Sequence, residues 1–302
     1  MLKSFLFFLC FFIPFCCFPQ NEEKIERKNQ VIIRLDNDAF IIGRQDKYYS
    51  GGHFLDFYHY LGEGKSFILG LGNQIYTPDL PKERPQIVIE RPFAGIIYIE
   101  SGFQIRKNRW FYEGKILGGI IGPQSGVGQF QSWFHNSFNL PKVYGWQNQI
   151  EDALIGNVSL QVLHSLVDLG PMEVLIAGKS KMGNLEQSIS FSPSIRIGSY
   201  QPVSFSQVNG SRVGTDQQQE QYFHFGVDFK NVFFNRTLDG NSLNPDNIPD
   251  FESKGAIGEF FGELVLNYNH FGTAYGIFYR TSENVQAKDQ VFARITFSWL
   301  FK

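Results

Sequence analysis

Residues 290–301 read QVFARITFSWLF, and apolar side chains alternate there with polar or small ones. Successive side chains of a β-strand point to opposite faces, so this run predicts a strand with one apolar face and one polar face. The apolar face carries Val291, Ala293, Ile295, Phe297 and Trp299, and the polar face carries Arg294, Thr296 and Ser298. Residues 66–76 follow the same two-residue period. Such strands suit a sheet with lipid on one side and a polar interior on the other.

The same alternation recurs along nearly the whole chain, in segments separated by turn-forming residues. Twelve segments carry it, at about 30–41, 48–61, 66–76, 94–104, 109–121, 154–168, 171–184, 187–198, 221–235, 256–268, 271–281 and 290–301. Twelve such segments predict an all-β fold, and their even number favours a 12-stranded antiparallel transmembrane β-barrel. Aromatic residues cluster at 48–49, 58–60, 110–112 and 275–279, where we expect interfacial girdles. A soluble β-sandwich or lipocalin-like barrel is the alternative, because its core would be equally aromatic.

The first 20 residues differ from the rest of the chain. They hold Lys3, an apolar run over 5–13 and then Pro14, which is the pattern of a secretory signal peptide. We therefore predict a signal peptide over 1–20 and one outer-membrane barrel domain over 21–302. All three cysteines lie within 1–20, so the exported chain has no thiolate for catalysis or for a zinc site.

Composition excludes several classes of protein. Of the 302 residues, 43% are hydrophobic, 16% are aromatic and only 19% are charged, unlike a disordered chain. After residue 20, no apolar run is long enough for a transmembrane helix. The formal net charge of −2 provides no basic surface, so no nucleic-acid partner is expected.

The long connections between predicted strands fall on one side of the barrel. If the N-terminus is periplasmic, the odd-numbered connections face the cell exterior, and they include 77–93, 122–153 and 236–255. Most even-numbered connections have three to five residues, as periplasmic turns should. The connection 199–220 is the exception, and this topology does not explain its length.

One stretch of the 122–153 connection breaks the β pattern. Phe130, Phe134 and Phe138 recur every four residues, which predicts a short helix in an extracellular loop. We expect this phenylalanine stripe to seat the helix on the barrel. Gln131 and His135 lie one turn apart on the adjacent stripe, so the helix presents an amide and an imidazole together.

Polar residues that turn chemistry does not explain gather on the same side of the barrel. Asp36-Asn37-Asp38 ends the first segment, although Asp and Asn are uncommon in strands. Either the strand end is solvated, or a carboxylate and an amide oxygen are placed for a hard cation such as Ca²⁺. Ser50 opens the second segment, and the first hairpin brings it close to Asn37 and Asp38. Its hydroxyl serves either that site or an ordinary turn.

Basic residues and a histidine complete the candidates. Lys82, Arg84 and Arg91 follow the third segment, where they are either solvated or suited to the phosphates of a lipid head group. His135 lies in the predicted loop helix, whereas the other five histidines lie in strands or turns and are interpreted as structural. The chain has no G-x-S-x-G elbow, H-E-x-x-H motif or P-loop. Hydrolysis would therefore use water activated by His135 rather than a serine nucleophile.

Taken in order, these motifs resemble those of the lipid A 3′-O-deacylase family of outer-membrane barrels. The resemblance spans residues 30–302. It rests on DNDxF at 36–40, DKYYSGG at 46–52, IYTP at 75–78, ERPFAG at 90–95, GP at 122–123, Gln131, His135, YGWQNQI at 144–150, LDG at 238–240 and YRTSE at 279–283. Each segment alone is weak, but their order and spacing together are specific.

The resemblance implies an active site at the outer leaflet, between the barrel wall and the loop helix. The implied reaction is Ca²⁺-dependent hydrolysis of the 3′-linked acyloxyacyl chain of lipid A by water. His135 would be the general base, and Gln131 would support it from the same face of the helix. Asp38 would be a calcium ligand, with Asn37 and Ser50 completing the metal or oxyanion environment.

Further implications concern the substrate and two departures from the family pattern. Lys82 and Arg84 would meet the phosphates of the substrate. The residues just after His135, such as Pro141, offer no carboxylate for the metal. In an ideal strand, Asn37 and its neighbour Asp38 would also face opposite sides, so both serve one site only if the strand is bulged or ends there.

The leading hypothesis is thus a monomeric esterase, integral to the bacterial outer membrane, whose site faces the cell exterior and acts on lipid A or lipopolysaccharide in the outer leaflet. The runner-up is a non-enzymatic barrel, either a porin or an adhesion scaffold, which would not need these polar residues. A third reading is a calcium-dependent outer-membrane phospholipase. That class requires a serine beside its histidine on the barrel wall, and the sequence shows no such pair.

Overall fold

The computed structural model describes residues 27–41, 47–79, 90–214, 219–239, 251 and 253–302. Twelve strands lie in this part of the chain: β1 Asn29–Asn37, β2 Tyr48–Gly62, β3 Lys65–Thr77, β4 Ala94–Lys107, β5 Trp110–Ile121, β6 Ala153–Asp168, β7 Met172–Gly183, β8 Glu186–Ser199, β9 Glu220–Asn235, β10 Ala256–Tyr268, β11 Phe271–Arg280 and β12 Gln290–Phe301. The α-helix α1 spans Val127–Ser137. Among the described residues, no helix is long and apolar enough to cross a membrane. The predicted signal peptide over 1–20 lies outside this part of the chain.

The twelve strands form one closed antiparallel barrel, as the sequence predicted. Each strand pairs with its neighbours along the chain, and β1 pairs with β12 to close the sheet, from Asn29 opposite Phe301 to Asn37 opposite Ala293. Closure pairs the backbone groups that an open edge would leave exposed, which is what a sheet in lipid requires. The first strand differs from its prediction, because it ends at Asn37 and not at residue 41.

The two faces of the wall differ as the alternation predicts. Leu69, Leu71 and Trp299 are exposed on the outer surface, whereas Ile68 and Leu300, one residue along the same strands, are buried in the interior. The outer surface of the wall is therefore apolar. The alternate side chains of each strand point into the lumen.

The aromatic girdle is confirmed only in part. Exposed rings are found at Trp110, Tyr112, Tyr275 and Tyr279. Tyr49 and Tyr58 are buried, so the girdle predicted at 48–49 and 58–60 is wrong for them. Their positions in β2 point into the barrel, where Tyr58 packs beside Ile68.

The barrel has two unlike ends. The end that carries α1, called the α1 end, holds the connections that precede β2, β4, β6, β8, β10 and β12. The other end has short turns before β3, β5, β7 and β11, and one long connection between β8 and β9. Part of that connection, residues 200–214, packs inside the barrel. We call residues 200–214 the plug, and this end the plug end.

Apolar side chains of the plug join the interior of the wall. Val203 packs with Phe111, Leu163, Leu175 and Ala177, and Val213 packs with Ile32, Tyr58, Ile68 and Leu300. Two short 3-10 helices, Val203–Phe205 and Gln207–Asn209, keep the plug compact. A lumen cavity of about 320 Å³ is bounded by the wall and by residues 207–210 of the plug.

Polar side chains of the wall bind the plug as well. Arg106 donates from Nη1 to the backbone oxygen of Val213 at 3.0 Å and from Nη2 to Ser211 Oγ at 2.5 Å. Arg196 Nη1 donates to Ser206 Oγ at 2.6 Å. These bonds explain the length of the connection 199–220, because its residues 200–214 pack inside the barrel instead of forming a surface turn.

Candidate active site on the outer wall

The candidate calcium ligands lie where β1 ends. A 3-10 helix, Asp38–Phe40, follows the strand directly, and Asn37 Oδ1 caps it by accepting from Ala39 N at 2.7 Å. Asp38 Oδ2 accepts from the backbone N–H of Lys47 at 2.9 Å. Because the strand ends at Asn37, two-residue alternation no longer applies to Asp38, and the conflict noted from the sequence disappears.

Asp36 belongs to the lumen and not to this group. Its carboxylate accepts from Arg294 Nε at 2.7 Å and from the hydroxyl of Tyr49 at 2.9 Å. Buried carboxylates need such partners, so Asp36 is a structural residue of the interior. Only two members of the Asp36-Asn37-Asp38 run are therefore left as site candidates.

Ser50 reaches the outer face through a β-bulge. The pairing of β2 with β3 skips Ser50, which is the extra residue between two paired positions. Its Oγ lies 2.6 Å from Thr77 Oγ1, and Thr77 is in phase with the exposed Leu71 on the outward face of β3. The next residue, Gly51, pairs with Asn37 on β1. The bulge thus places a hydroxyl beside the end of β1, on the outside of the barrel.

The helix α1 lies against the outer face of the same strands. Val127 packs with Ile75, Phe93 and Trp146. A Cβ atom on Gly95 of β4 would lie 2.7 Å from Val127 Cβ, so glycine is needed there for the helix to approach the wall. Phe130 contacts His53 of β2 edge to face, with 5.4 Å between ring centroids.

The buried face of α1 is the one that carries the amide and the imidazole. It consists of Val127, Gly128, Gln131 and His135. Phe130, Phe134 and Phe138 are exposed, so the expectation that this stripe seats the helix is wrong. Both stripes have helical spacing. The more hydrophobic stripe is expected to be the buried one only where the protein is surrounded by water.

One hydrogen bond assigns the tautomer of His135. Its Nδ1 lies 2.6 Å from the backbone oxygen of Pro141. A carbonyl oxygen only accepts, so Nδ1 carries the proton and the neutral ring keeps its lone pair on Nε2. Pro141, which offers no carboxylate, therefore orients the imidazole through its main chain. His135 itself is 9% exposed.

Gln131 is oriented by an aromatic residue of the segment that follows α1. Trp146 Nε1 donates to Gln131 Oε1 at 2.8 Å. The indole packs on Phe93, with 5.2 Å between ring centroids. This bond fixes the orientation of the amide, with its oxygen towards Trp146. Trp146 belongs to the motif YGWQNQI at 144–150, which was the sequence signal for its contact, whereas no sequence signal pointed to the bond between His135 and Pro141.

The predicted phosphate-binding residues have different outcomes. Lys82 and Arg84 lie outside the described residues. Arg91 is buried, and it donates to Glu283 Oε2 at 2.7 Å and to Thr237 Oγ1 at 3.0 Å, so it has a structural role. Burial acts to raise the pKa of Glu283, but the charges of Arg91 and Arg280 outweigh burial and lower that pKa. This ion pair connects two of the motifs that carried the family resemblance, ERPFAG and YRTSE.

The donor chemistry at the wall suits calcium in kind. Asp38 offers a carboxylate, Asn37 an amide oxygen and Ser50 a hydroxyl, and Ca²⁺ takes six to eight oxygens of these types. Within the described ranges, no group of three or more His, Cys, Asp or Glu side chains is arranged to hold a metal. A full shell would need backbone oxygens or water in addition to these three residues.

The wall that carries Ser50 contacts α1 through Ile75. Ile75 pairs with Gly51, next to Ser50, and packs against Val127 of α1. An open groove of about 900 Å³ also borders α1, between the helix and residues 146–149. Its lining does not include Ser50, Gln131 or His135, so the candidate site lies on the other, barrel-facing side of the helix.

The chain is similar to several known proteins. A sequence model of the family described as "Outer membrane protein LpxR" matches residues 5–301. The solved structure of LpxR from Salmonella typhimurium has a TM-score of 0.78 at 18% identity, covering 90% of this chain and 100% of that chain. The beta domain of the Bordetella autotransporter BrkA has a TM-score of 0.47 at 6% identity, covering 91% and 98%. A KdgM porin has a TM-score of 0.41 at 7% identity, covering 90% and 99%.

No curated protein sequence matches the chain. At 18% identity, the likeness to the Salmonella structure shows a shared fold, and it agrees with the closed barrel of twelve strands. The family match covers nearly the whole chain, from the predicted signal peptide to the last strand. The chain belongs to the LpxR family of outer membrane proteins.

Proposed function

We propose that the chain is a lipid A esterase that hydrolyses the 3′-linked acyloxyacyl chain, with His135 activating the attacking water. Family membership supports a lipid A deacylase. The observation that carries the proposal is the position of His135, which is buried on the barrel-facing side of α1 with its Nδ1–H donated to Pro141 O at 2.6 Å. That bond leaves Nε2 as the basic atom of the ring.

The chemistry begins with proton transfer from water. As the water oxygen attacks the acyl carbonyl carbon, its proton passes to His135 Nε2, and the carbonyl electron pair moves to the carbonyl oxygen. When the tetrahedral intermediate collapses, the bond to the 3′ oxygen of the sugar breaks and the proton passes to that oxygen. General base catalysis of this kind contributes about 10²–10⁴-fold to the rate.

Three neutral side chains would stabilise the developing oxyanion. Gln131 would contribute its amide nitrogen, because its Oε1 accepts from Trp146 Nε1 at 2.8 Å. Asn37 would donate from Nδ2, which lies 3.4 Å from the position of a Cβ atom on Gly51. The Ser50 hydroxyl, 2.6 Å from Thr77 Oγ1, would donate to the oxyanion as well. Donors fixed in a dry site stabilise the transition state without reorganising.

Asp38 would bind Ca²⁺ together with Asn37 Oδ1. The bound ion supplies positive charge that polarises an ester carbonyl. Asp38 is held by the backbone N–H of Lys47 at 2.9 Å, so its carboxylate does not need to reorganise on binding. Lys82 and Arg84 would contact the phosphates of lipid A, and the site would face the cell exterior in a monomeric protein.

The experiment uses the purified full chain in detergent micelles with lipid A as substrate. Mass spectrometry of both products should show a free acyloxyacyl fatty acid and a lipid A species that lacks the 3′ chain. Chelation of calcium with EGTA should stop the reaction, and added CaCl₂ should restore it. Intact lipid A after incubation in calcium would contradict the proposal.

The same assay separates the alternatives. A parallel incubation with phosphatidylethanolamine tests the phospholipase reading, which predicts fatty acid from that lipid and none from lipid A. The porin reading is disfavoured by the plug, because Arg106 and Arg196 fix residues 200–214 inside the lumen. A scaffold without activity would leave both lipids unchanged.

A further inference from the structure

The helix α1 has two exposed faces of different chemistry. One face carries Phe130, Trp133, Phe134 and Phe138 with Ser137 among them, and the other is polar and carries Gln129, half-buried Ser132 and Asn136. At about 100° per residue these sets occupy separate arcs of the helix. Trp133 is 60% exposed and Phe138 is 63% exposed. Large aromatic side chains are rarely left clustered in water, so this face needs an apolar partner.

The sequence around the aromatic face is free of ionised side chains. Residues 122–141 contain no Asp, Glu, Lys or Arg, although they belong to a long connection at one end of the barrel. Exposed Leu140 adds to this apolar surface just beyond the helix, and the first ionised residue after it is Lys142. Ionised groups are costly inside a membrane, and their absence over this stretch is compatible with contact to hydrocarbon.

The aromatic face continues the apolar belt of the barrel. Phe130 rests on His53, which faces outward on β2. Leu55 and its partner Leu71 on β3 are exposed on the same outward face, two residues further along the strand. Two residues of a strand span about 7 Å. The aromatic face of α1 therefore begins one two-residue repeat of the strand away from the apolar belt. The polar residues between them are His53 and Asn73.

We propose that α1 is an interfacial helix whose aromatic face is inserted among the acyl chains of the surrounding lipid, while its Gln129 and Asn136 face points to water. The partner is lipid hydrocarbon and not a second protein. Insertion explains why the helix buries Gln131 and His135 against the wall and leaves its phenylalanines outside. A helix with one apolar and one uncharged polar side is suited to the plane of the membrane interface. The proposal does not depend on the hydrolysis proposed above.

The test uses nitroxide labels on four exposed positions of α1. The full chain has Cys10, Cys16 and Cys17, which are replaced by serine. Single cysteines are then introduced as Trp133→Cys and Phe138→Cys on the aromatic face, with Gln129→Cys and Asn136→Cys as matched controls on the polar face. Each labelled chain is reconstituted in vesicles of dioleoylphosphatidylcholine. Collision rates with oxygen, which concentrates in lipid, and with a water-soluble nickel chelate are measured by electron paramagnetic resonance.

Insertion predicts that the labels at 133 and 138 collide more often with oxygen than with the nickel chelate, and that the labels at 129 and 136 show the reverse order. Equal, water-like accessibility at all four positions would overturn the proposal. So would spin–spin broadening of the labels at 133 and 138, because that result would place the aromatic face against a second copy of the chain.

Discussion

At the plug end, polar side chains lie in the lumen, where an outer-membrane barrel normally keeps them. At the α1 end, a second cluster of polar side chains lies on the outer face of the barrel wall. Arg106 and Arg196 bind the plug from inside the barrel. Asn37, Ser50 and Thr77 occupy outward positions that elsewhere on these strands hold residues such as Leu71.

Bulges occur at both ends of the barrel. Near the plug end, the pairing of β2 with β3 shifts between Tyr60 and Gly62, and the pairing of β6 with β7 shifts between Ser165 and Val167. At the α1 end, β1 stops at Asn37 and β2 carries a bulge at Ser50. Bulges concentrate beside active sites, where they redirect a side chain. Polar side chains therefore bind the plug at one end, whereas under the proposed function they serve chemistry at the other.

The largest effect is expected from His135→Ala. Removing the general base should lower the rate of fatty-acid release by about 10²–10⁴-fold, because water then loses its proton acceptor. The measurement is the initial rate with lipid A in micelles containing calcium. Gln129→Ala, on the polar face of the same helix, is the control and should keep the wild-type rate. A fully active His135→Ala protein would contradict the proposal that the α1 end carries the chemistry.

Arg91→Met should act on stability, although Arg91 lies at the α1 end. Removing one partner of a buried ion pair costs about 3–5 kcal/mol, because Glu283 loses its closest counter-charge. The free energy of unfolding in urea, measured in micelles, would show the loss. The double variant Arg91→Met/Glu283→Leu should recover much of it, since Arg280 keeps Glu259 at 2.6 Å. Unchanged stability with weaker binding of lipid A would instead make Arg91 a phosphate ligand.

Arg106→Gln tests the plug end. The shorter side chain loses the bonds to Val213 and Ser211, and each buried bond left unmade costs about 1–3 kcal/mol. We expect a lower urea midpoint and a wild-type rate of hydrolysis per folded molecule. A loss of activity in fully folded Arg106→Gln protein would show that the plug takes part in the reaction.

Trp146→Phe is the mildest change. It keeps the ring against Phe93 and removes the bond to Gln131, worth about 1 kcal/mol or roughly fivefold in rate. Because Trp146 is a positioning residue, kcat should fall while KM stays nearly constant. An equal rise in KM with unchanged kcat would mean that Trp146 contacts the substrate instead.

Sequence alone predicted the barrel well, because the two-residue alternation is a direct consequence of strand geometry and lipid exposure. It also placed Gln131 and His135 on one helical stripe. It chose the wrong stripe for burial, since Phe130 and its partners look like a core face when the surroundings are taken as water. The plug could not be predicted, because the contacts of Arg106 and Arg196 join residues distant in sequence, and the tautomer of His135 depends on one main-chain oxygen.

The most direct test of the account compares lipid A from cells that carry the wild type, His135→Ala or Arg106→Gln at equal amounts of folded protein. Mass spectrometry should show loss of the 3′ acyloxyacyl chain with the wild type and with Arg106→Gln, and intact lipid A with His135→Ala. Loss of the 3′ chain in cells that carry His135→Ala would contradict the central claim that the outer wall at the α1 end performs the hydrolysis.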